Sequence, residues 1–116
     1  MPVLHITTNQ TIPETDRPGV LTAASTTVSE MLGKPESYVM VHLEDCQDLS
    51  FGGTSDPTCI MQLKSLGLPE EQTADFSSRL CDFADVHLNV EPDRTYIEFI
   101  NPPRHMWGYD RHTFQR

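Results

Sequence analysis

The residue best suited to acid–base chemistry in this chain is Pro2, directly behind Met1. If the methionine is removed, as a small second residue permits, the chain begins with a secondary amine. An ordinary α-amino group has a pKa of about 7.7–8.0. Burial and a nearby cation both disfavour its charged form, pushing the value toward the pH at which a neutral amine works as a general base. A ring nitrogen locked at a strand end would also present its lone pair in a fixed direction. Standing alone, the same proline is explained as the start of an edge strand.

Lys34 stands in a Gly-Lys-Pro step. Such a lysine answers the negative end of a preceding helix. If the first two strands are neighbours it also approaches Pro2, where it would hold a carboxylate or stabilise an enolate oxygen. Leu66 precedes Gly67 at a strand end, a position where a free backbone N–H binds an anion. Tyr96 and Glu98 are two apart on a strand and share a face. The five histidines, His5, His42, His87, His105 and His112, have no HxH or HxxxH spacing, and no metal or other cofactor is expected. Nothing reads as a Ser–His–Asp arrangement, and FGGTS lacks the lysine and spacing of a phosphate loop.

The elements that must position these residues are written twice. Pro2 to Thr8 alternates apolar and polar residues and predicts a strand. Thr15 or Asp16 can cap the helix that follows, and Pro18 suits its first turn. Val20, Leu21, Ala24, Val28, Met31 and Leu32 form its apolar stripe, and Gly33 with Pro35 stops it before a second strand over 37–43. The order then repeats: a strand from Cys59, a helix opened by LPEEQ with a stripe of Phe76, Leu80, Phe83, Ala84 and Leu88, and a closing strand from Thr95. Two strand–helix–strand units predict an α/β fold with pseudo-twofold symmetry. Its four-stranded sheet would carry two helices on one face, the strands of each unit being parallel. The other face would hold mixed residues, including His42, Gln62 and Glu98, and suits a subunit interface or a wet channel.

Composition narrows the partners. A net charge of −9 without a Lys/Arg run disfavours nucleic acid and anionic membrane. There is no basic and apolar leader and no apolar run of membrane-spanning length. Cys46, Cys59 and Cys81 form an odd set without CxxC spacing, read as buried or half-buried free thiols in a reducing compartment. A hydrophobic fraction of 37% is low for a monomer of this size. The expectation is one acidic, cytoplasmic, oligomeric domain over residues 1–116.

Met1-Pro2, GKPESYVMVHL, SFGGTSDP, KSLG, PDRTYIEF and WGYDRHTF occur in an order that resembles the macrophage migration inhibitory factor family of the tautomerase superfamily, over essentially the whole chain. The resemblance implies a homotrimer of βαβ-repeat subunits whose sheets enclose a central channel. It also implies keto–enol tautomerisation of α-keto acids such as phenylpyruvate, and dopachrome-type isomerisation of artificial substrates. Carried over by position, Pro2 falls on the catalytic base, Lys34 on the carboxylate- or carbonyl-binding lysine and Leu66 on a backbone N–H donor. Tyr96 falls on a tyrosine supplied across the subunit interface.

Four departures stand out. Glu98 replaces a common asparagine and sets an acid near an anionic substrate. The family's CxxC becomes Thr58 and Met61 flanking Cys59, so thiol oxidoreductase activity is not expected. In the tail, Tyr109 replaces a tryptophan and would wall an aromatic pocket beside Trp107, with Arg111 new to the rim. The loop before the second helix is shortened. The implied partner is a small keto or enol substrate. The alternative is a cytokine-like protein, exported without a signal peptide, that engages a receptor through its surface; no residue requires it.

Overall fold

Alternation along Pro2–Thr8 produces the strand it predicts. The computed structural model describes residues 1–115. Strand β1 (Pro2–Thr8) buries Pro2, Leu4, Ile6 and Thr8 and turns Val3, His5 and Thr7 to the other face. Helix α1 (Arg17–Leu32) carries Pro18 in its first turn and buries Val20, Ala24, Val28 and Met31. Leu21 is 39% exposed and Leu32 half-buried, so the stripe is narrower than predicted. Asp16 occupies the position before the helix but makes no side-chain cap bond. It ends a 3-10 turn, Glu14–Asp16, and its helical backbone does not aim the carboxylate at the first-turn N–H groups.

Gly33 ends α1 at φ 63°, a left-handed value that favours glycine. The Lys34 N–H donates to the Ser29 carbonyl (3.2 Å), and the Ser29 hydroxyl donates to the Lys34 carbonyl (2.6 Å). The backbone that carries Lys34 is therefore pinned from both sides. Glu36–Tyr38 form a 3-10 turn, so β2 (Met40–Glu44) begins three residues after the predicted Ser37. Likewise Glu70–Gln72 form a 3-10 turn before α2 (Thr73–Leu88). That helix buries Phe76, Leu80, Phe83, Ala84 and Leu88, the predicted stripe.

With β3 (Cys59–Ser65) and β4 (Thr95–Ile100) the sheet has the order β2-β1-β3-β4. Strands β1 and β2 are parallel, β3 and β4 are parallel, and β1 meets β3 antiparallel. The two βαβ units thus join through their first strands. Both helices contribute to a core centred on Leu4, Ile6, Met61 and Leu63. The opposite face of the sheet is uncovered and presents exposed Met40, Ile60 and Tyr96.

Two features lie outside the sequence-based prediction. A hairpin, β5 (Gly108–Tyr109) and β6 (His112–Thr113), closes the tail. Its loop residues, Asp110 and Arg111, sit at φ 50° and 71°, as two-residue hairpin loops require. Arg94, at the start of β4, organises the Gly-rich connector. Its guanidinium donates to the carbonyls of Phe51 (3.1 Å), Asp56 (3.1 Å) and Pro57 (2.9 Å) and lies over the Phe51 ring.

Asp45, just past β2, ties that strand to the segment leading into α1. Its buried carboxylate accepts the Ile12 N–H at 2.8 Å and an Arg17 nitrogen at 2.6 and 2.7 Å. The Ile12 N–H and the Arg17 guanidinium hold its pKa below the ordinary 3.8. A carboxylate depressed only in the folded state stabilises fully above that ordinary value, and the contribution is lost as pH falls through the folded one. Asp45→Asn is expected to cost about 2 kcal/mol at pH 7. Urea denaturation at pH 7 and pH 3 should find the difference shrinking at the acid end; an equal difference at both would assign the loss to shape alone.

Candidate active site

The parallel β1–β2 pairing and the antiparallel β1–β3 pairing bring four parts of the chain to one end of the sheet. Pro2 lies opposite Ser65, the last residue of β3, and Leu66 follows directly. Leu66 is buried as a whole residue and does not line the hollow described next. Gly67 then turns at φ 68° and donates its N–H to Asn101 Oδ1 at 3.1 Å, tying this corner to the end of β4. From the other side the Lys34 segment runs into β2 beside β1.

In front of the β1 start is a hollow of about 400 Å³ walled by Met1, Pro2, Tyr38, Met40, Trp107 and Tyr109. Aromatic rings dominate its sides. Tyr109 stacks on Phe114 with centroids 5.9 Å apart and 13° between planes, so the hairpin presents it as a braced wall. The free amine, here on Met1, has its pKa lowered from 8.0 by partial burial first, then by the positive charges of Lys34 and Arg104. With Met1 attached, the Pro2 nitrogen is an amide and cannot act as a base. Removal of Met1 moves the amine one residue along the same strand.

Arg104 is absent from the sequence-based candidates. It sits on a 3-10 turn, Arg104–Met106, and its Nε donates to the Phe114 carbonyl at 3.0 Å. Nothing local marks it, because it meets the amine only through the fold of the tail. Tyr38 is likewise absent from those candidates although it lies in the GKPESY block; it reaches the hollow because its 3-10 turn leads into β2 beside β1.

Tyr96 and Glu98 are not part of this hollow. Strand β4 lies two strands from β1, about 10 Å sideways, and Tyr96 pairs with Ile60, about 16 Å along β3 from Ser65. Tyr96 is 64% exposed and packs edge-on against Phe51 at 4.8 Å. Exposed Glu98 accepts a hydrogen bond from Gln62 Nε2 at 2.9 Å. A larger hollow, about 690 Å³, lies past the other end of β1, around Asn9, Cys46 and Ser55, away from the amine.

The cysteines make no disulfide. Burial pushes the Cys59 thiol up to about 12 and raises Cys81 as well. Cys46 is exposed rather than half-buried, because it turns the chain at φ 57° immediately beyond the sheet.

In the chain bearing Met1, Lys34→Ala is expected to raise the pKa of the terminal amine toward 8.0, since one of the charges opposing its protonation is gone. An NMR titration of the terminal residue measures this. An unchanged value would leave burial and Arg104 as the whole cause.

A family model described as macrophage migration inhibitory factor matches residues 1–115. The chain is 36% identical to a macrophage migration inhibitory factor homolog of Trichinella spiralis, across 98% of this chain and 100% of that protein. It is 32% identical to the Rattus norvegicus macrophage migration inhibitory factor, across 98% of this chain and 99% of that one. Among solved structures, a homologue from Prochlorococcus marinus superposes with a TM-score of 0.91 at 32% identity, covering 97% of this chain and 99% of the other. The Trichinella spiralis protein superposes with a TM-score of 0.88 at 35% identity, with the same coverage.

Proposed function

The chain belongs to the macrophage migration inhibitory factor family, and from that premise we propose that it is a keto–enol tautomerase of α-keto acids such as phenylpyruvate, with Pro2 as the base once Met1 is removed. Membership of this family within the tautomerase superfamily supports isomerase activity in general. The finer reading rests above all on one observation: the amine at the head of β1 opens into a hollow with aromatic walls, where partial burial and then the charges of Lys34 and Arg104 disfavour its protonation.

In this mechanism the neutral Pro2 amine removes the proton on the carbon next to the ketone. The electron pair moves to the carbonyl oxygen, and that oxygen then takes the proton from the Pro2 ammonium, directly or through water, which gives the enol and restores the neutral amine. In reverse, the Pro2 ammonium returns the proton to carbon. Lys34 and Arg104 offset the charge of the carboxylate and of the enolate oxygen, and the Leu66 N–H adds a donor. Trp107 and Tyr109 enclose the substrate's aromatic ring and keep water from the amine. The aromatic walls favour an aryl-bearing acid over a small one.

A homotrimer completes the proposal. The uncovered sheet face with its exposed Met40, Ile60 and Tyr96 supports association, since patches of this kind mark contact surfaces. Tyr96 lies too far from Pro2 of its own chain to meet the same substrate, so it would serve the hollow of a neighbouring subunit. Glu98, held by Gln62, would stand near that rim and disfavour substrates with a second negative group.

The test is conversion of enol-phenylpyruvate to the ketone by protein whose mass confirms loss of Met1. Pro2→Ala is expected to lower kcat/KM by about 10²-fold or more, the usual scale for a positioned base. Full activity in a form that retains Met1 would sink the mechanism.

A further inference from the structure

On the sheet face opposite the helices, β1 and β2 run parallel in a register that sets His5 beside His42 and Thr7 beside Glu44. The three ionisable side chains converge. His5 Nε2 is 2.6 Å from Glu44 Oε1, and His42 Nε2 is 3.7 Å from the same oxygen. The two imidazoles stack in parallel, with centroids 4.3 Å apart and 4° between planes; His5 hydrogen-bonds the carboxylate and His42 lies beside it. One ligand atom from each of the three residues lies within 4.8 Å of the others.

We propose that His5, His42 and Glu44 form a binding site for a divalent transition cation, with zinc the best match to its donors. Two imidazole nitrogens and one carboxylate oxygen are a borderline set that suits zinc and its neighbours, whereas calcium and magnesium call for oxygen alone. Ligand bonds of about 2.0–2.2 Å in a tetrahedron put donor atoms roughly 3.3 Å apart. The observed contacts of 2.6 and 3.7 Å lie on either side of that spacing, and an ion would bind once the two imidazoles leave their parallel stack and turn both Nε2 atoms toward a common point. Within one chain His42 is exposed and the other two are half-buried, which leaves the rings room to turn.

Two further observations favour a cation here. Among the described residues, these two histidines are what comes within ion-pair distance of Glu44, so no lysine or arginine neutralises its carboxylate. Lys64, on the same sheet face, holds its Nζ over the Trp107 ring at 5.6 Å rather than in an ion pair with Glu44. Beside the cluster is a hollow of about 360 Å³ that His5, His42, Gln62 and Lys64 help to line. It leaves room for a water on the fourth metal position. The site is distinct from the amine hollow, although Val3 and Met40 line both.

The experiment is calorimetric titration of the metal-free full chain with zinc chloride near pH 7.5. One ion per chain is expected, at micromolar affinity or tighter. His42→Ala and Glu44→Gln should each weaken it at least 10-fold, and His5→Ala with His42→Ala should abolish it. Cys46→Ser, which removes the exposed thiol, should change nothing. Melting curves in chelator show whether each variant folds like the parent, and His42→Gln, which keeps the side chain's bulk, is the second variant if His42→Ala does not. The cobalt-substituted protein should show the visible bands of a tetrahedral nitrogen–oxygen site without a thiolate charge-transfer band. Zinc binding of undiminished strength in the double variant, or none tighter than millimolar in the parent, overturns the proposal.

Discussion

Strands β1 and β3 pair residue for residue from Pro2 against Ser65 to Thr8 against Cys59, and this antiparallel seam carries the rest of the molecule. It joins two βαβ units that would each leave an apolar face bare. It also lines up Leu4, Ile6, Met61 and Leu63, all fully buried, as the centre of the core under both helices. A slip of one residue would turn either Leu4 and Ile6 or Met61 and Leu63 to the open face and bring His5, or Gln62 and Lys64, inside, so the register is strongly specified. The same seam puts Pro2 next to the Ser65-Leu66-Gly67 corner, with the amine hollow in front of it.

Charge is distributed against the average of the chain. The protein carries −9 overall, with 8 Lys and Arg residues. Three of the arginines are committed to structure: Arg17 to Asp45, Arg79 to Glu30 and Arg94 to the carbonyls of the connector. Lys34 and Arg104 instead place their charge at the amine. An anion approaching this acidic surface therefore meets a local positive field at the one end of the sheet where the chain's terminal nitrogen lies. Burial first, and then those same charges, lower the pKa of that nitrogen, so the corner that draws an anion also favours the neutral amine.

The two sheet faces divide the labour. One is dry and settles the fold. The other carries side chains that a single chain leaves uncovered: apolar Met40 and Ile60, the aromatic Tyr96, and the polar group of His5, His42, Glu44, Gln62 and Glu98. Polar residues on that face are affordable only because water or a neighbouring subunit, not a packed layer of helices, lies against it.

Local pattern determined much of this protein. Period-two alternation marks β1, period-3.6 stripes mark both helices, and Gly33 marks the end of α1, because each depends on residues a few positions apart. The repeated order of elements was enough for the four-stranded sheet with helices on one face. The short 3-10 turns before β2 and α2 were not legible, since proline and acidic residues suit the start of either helix type. What the tertiary structure decided was every meeting between distant residues. Arg104 reaches the amine through the fold of the tail, Tyr96 is carried away from Pro2 by strand order, and His5 meets His42 and Glu44 across 39 residues of chain. Such encounters follow from which strands pair and in what register, and no spacing along one strand records that.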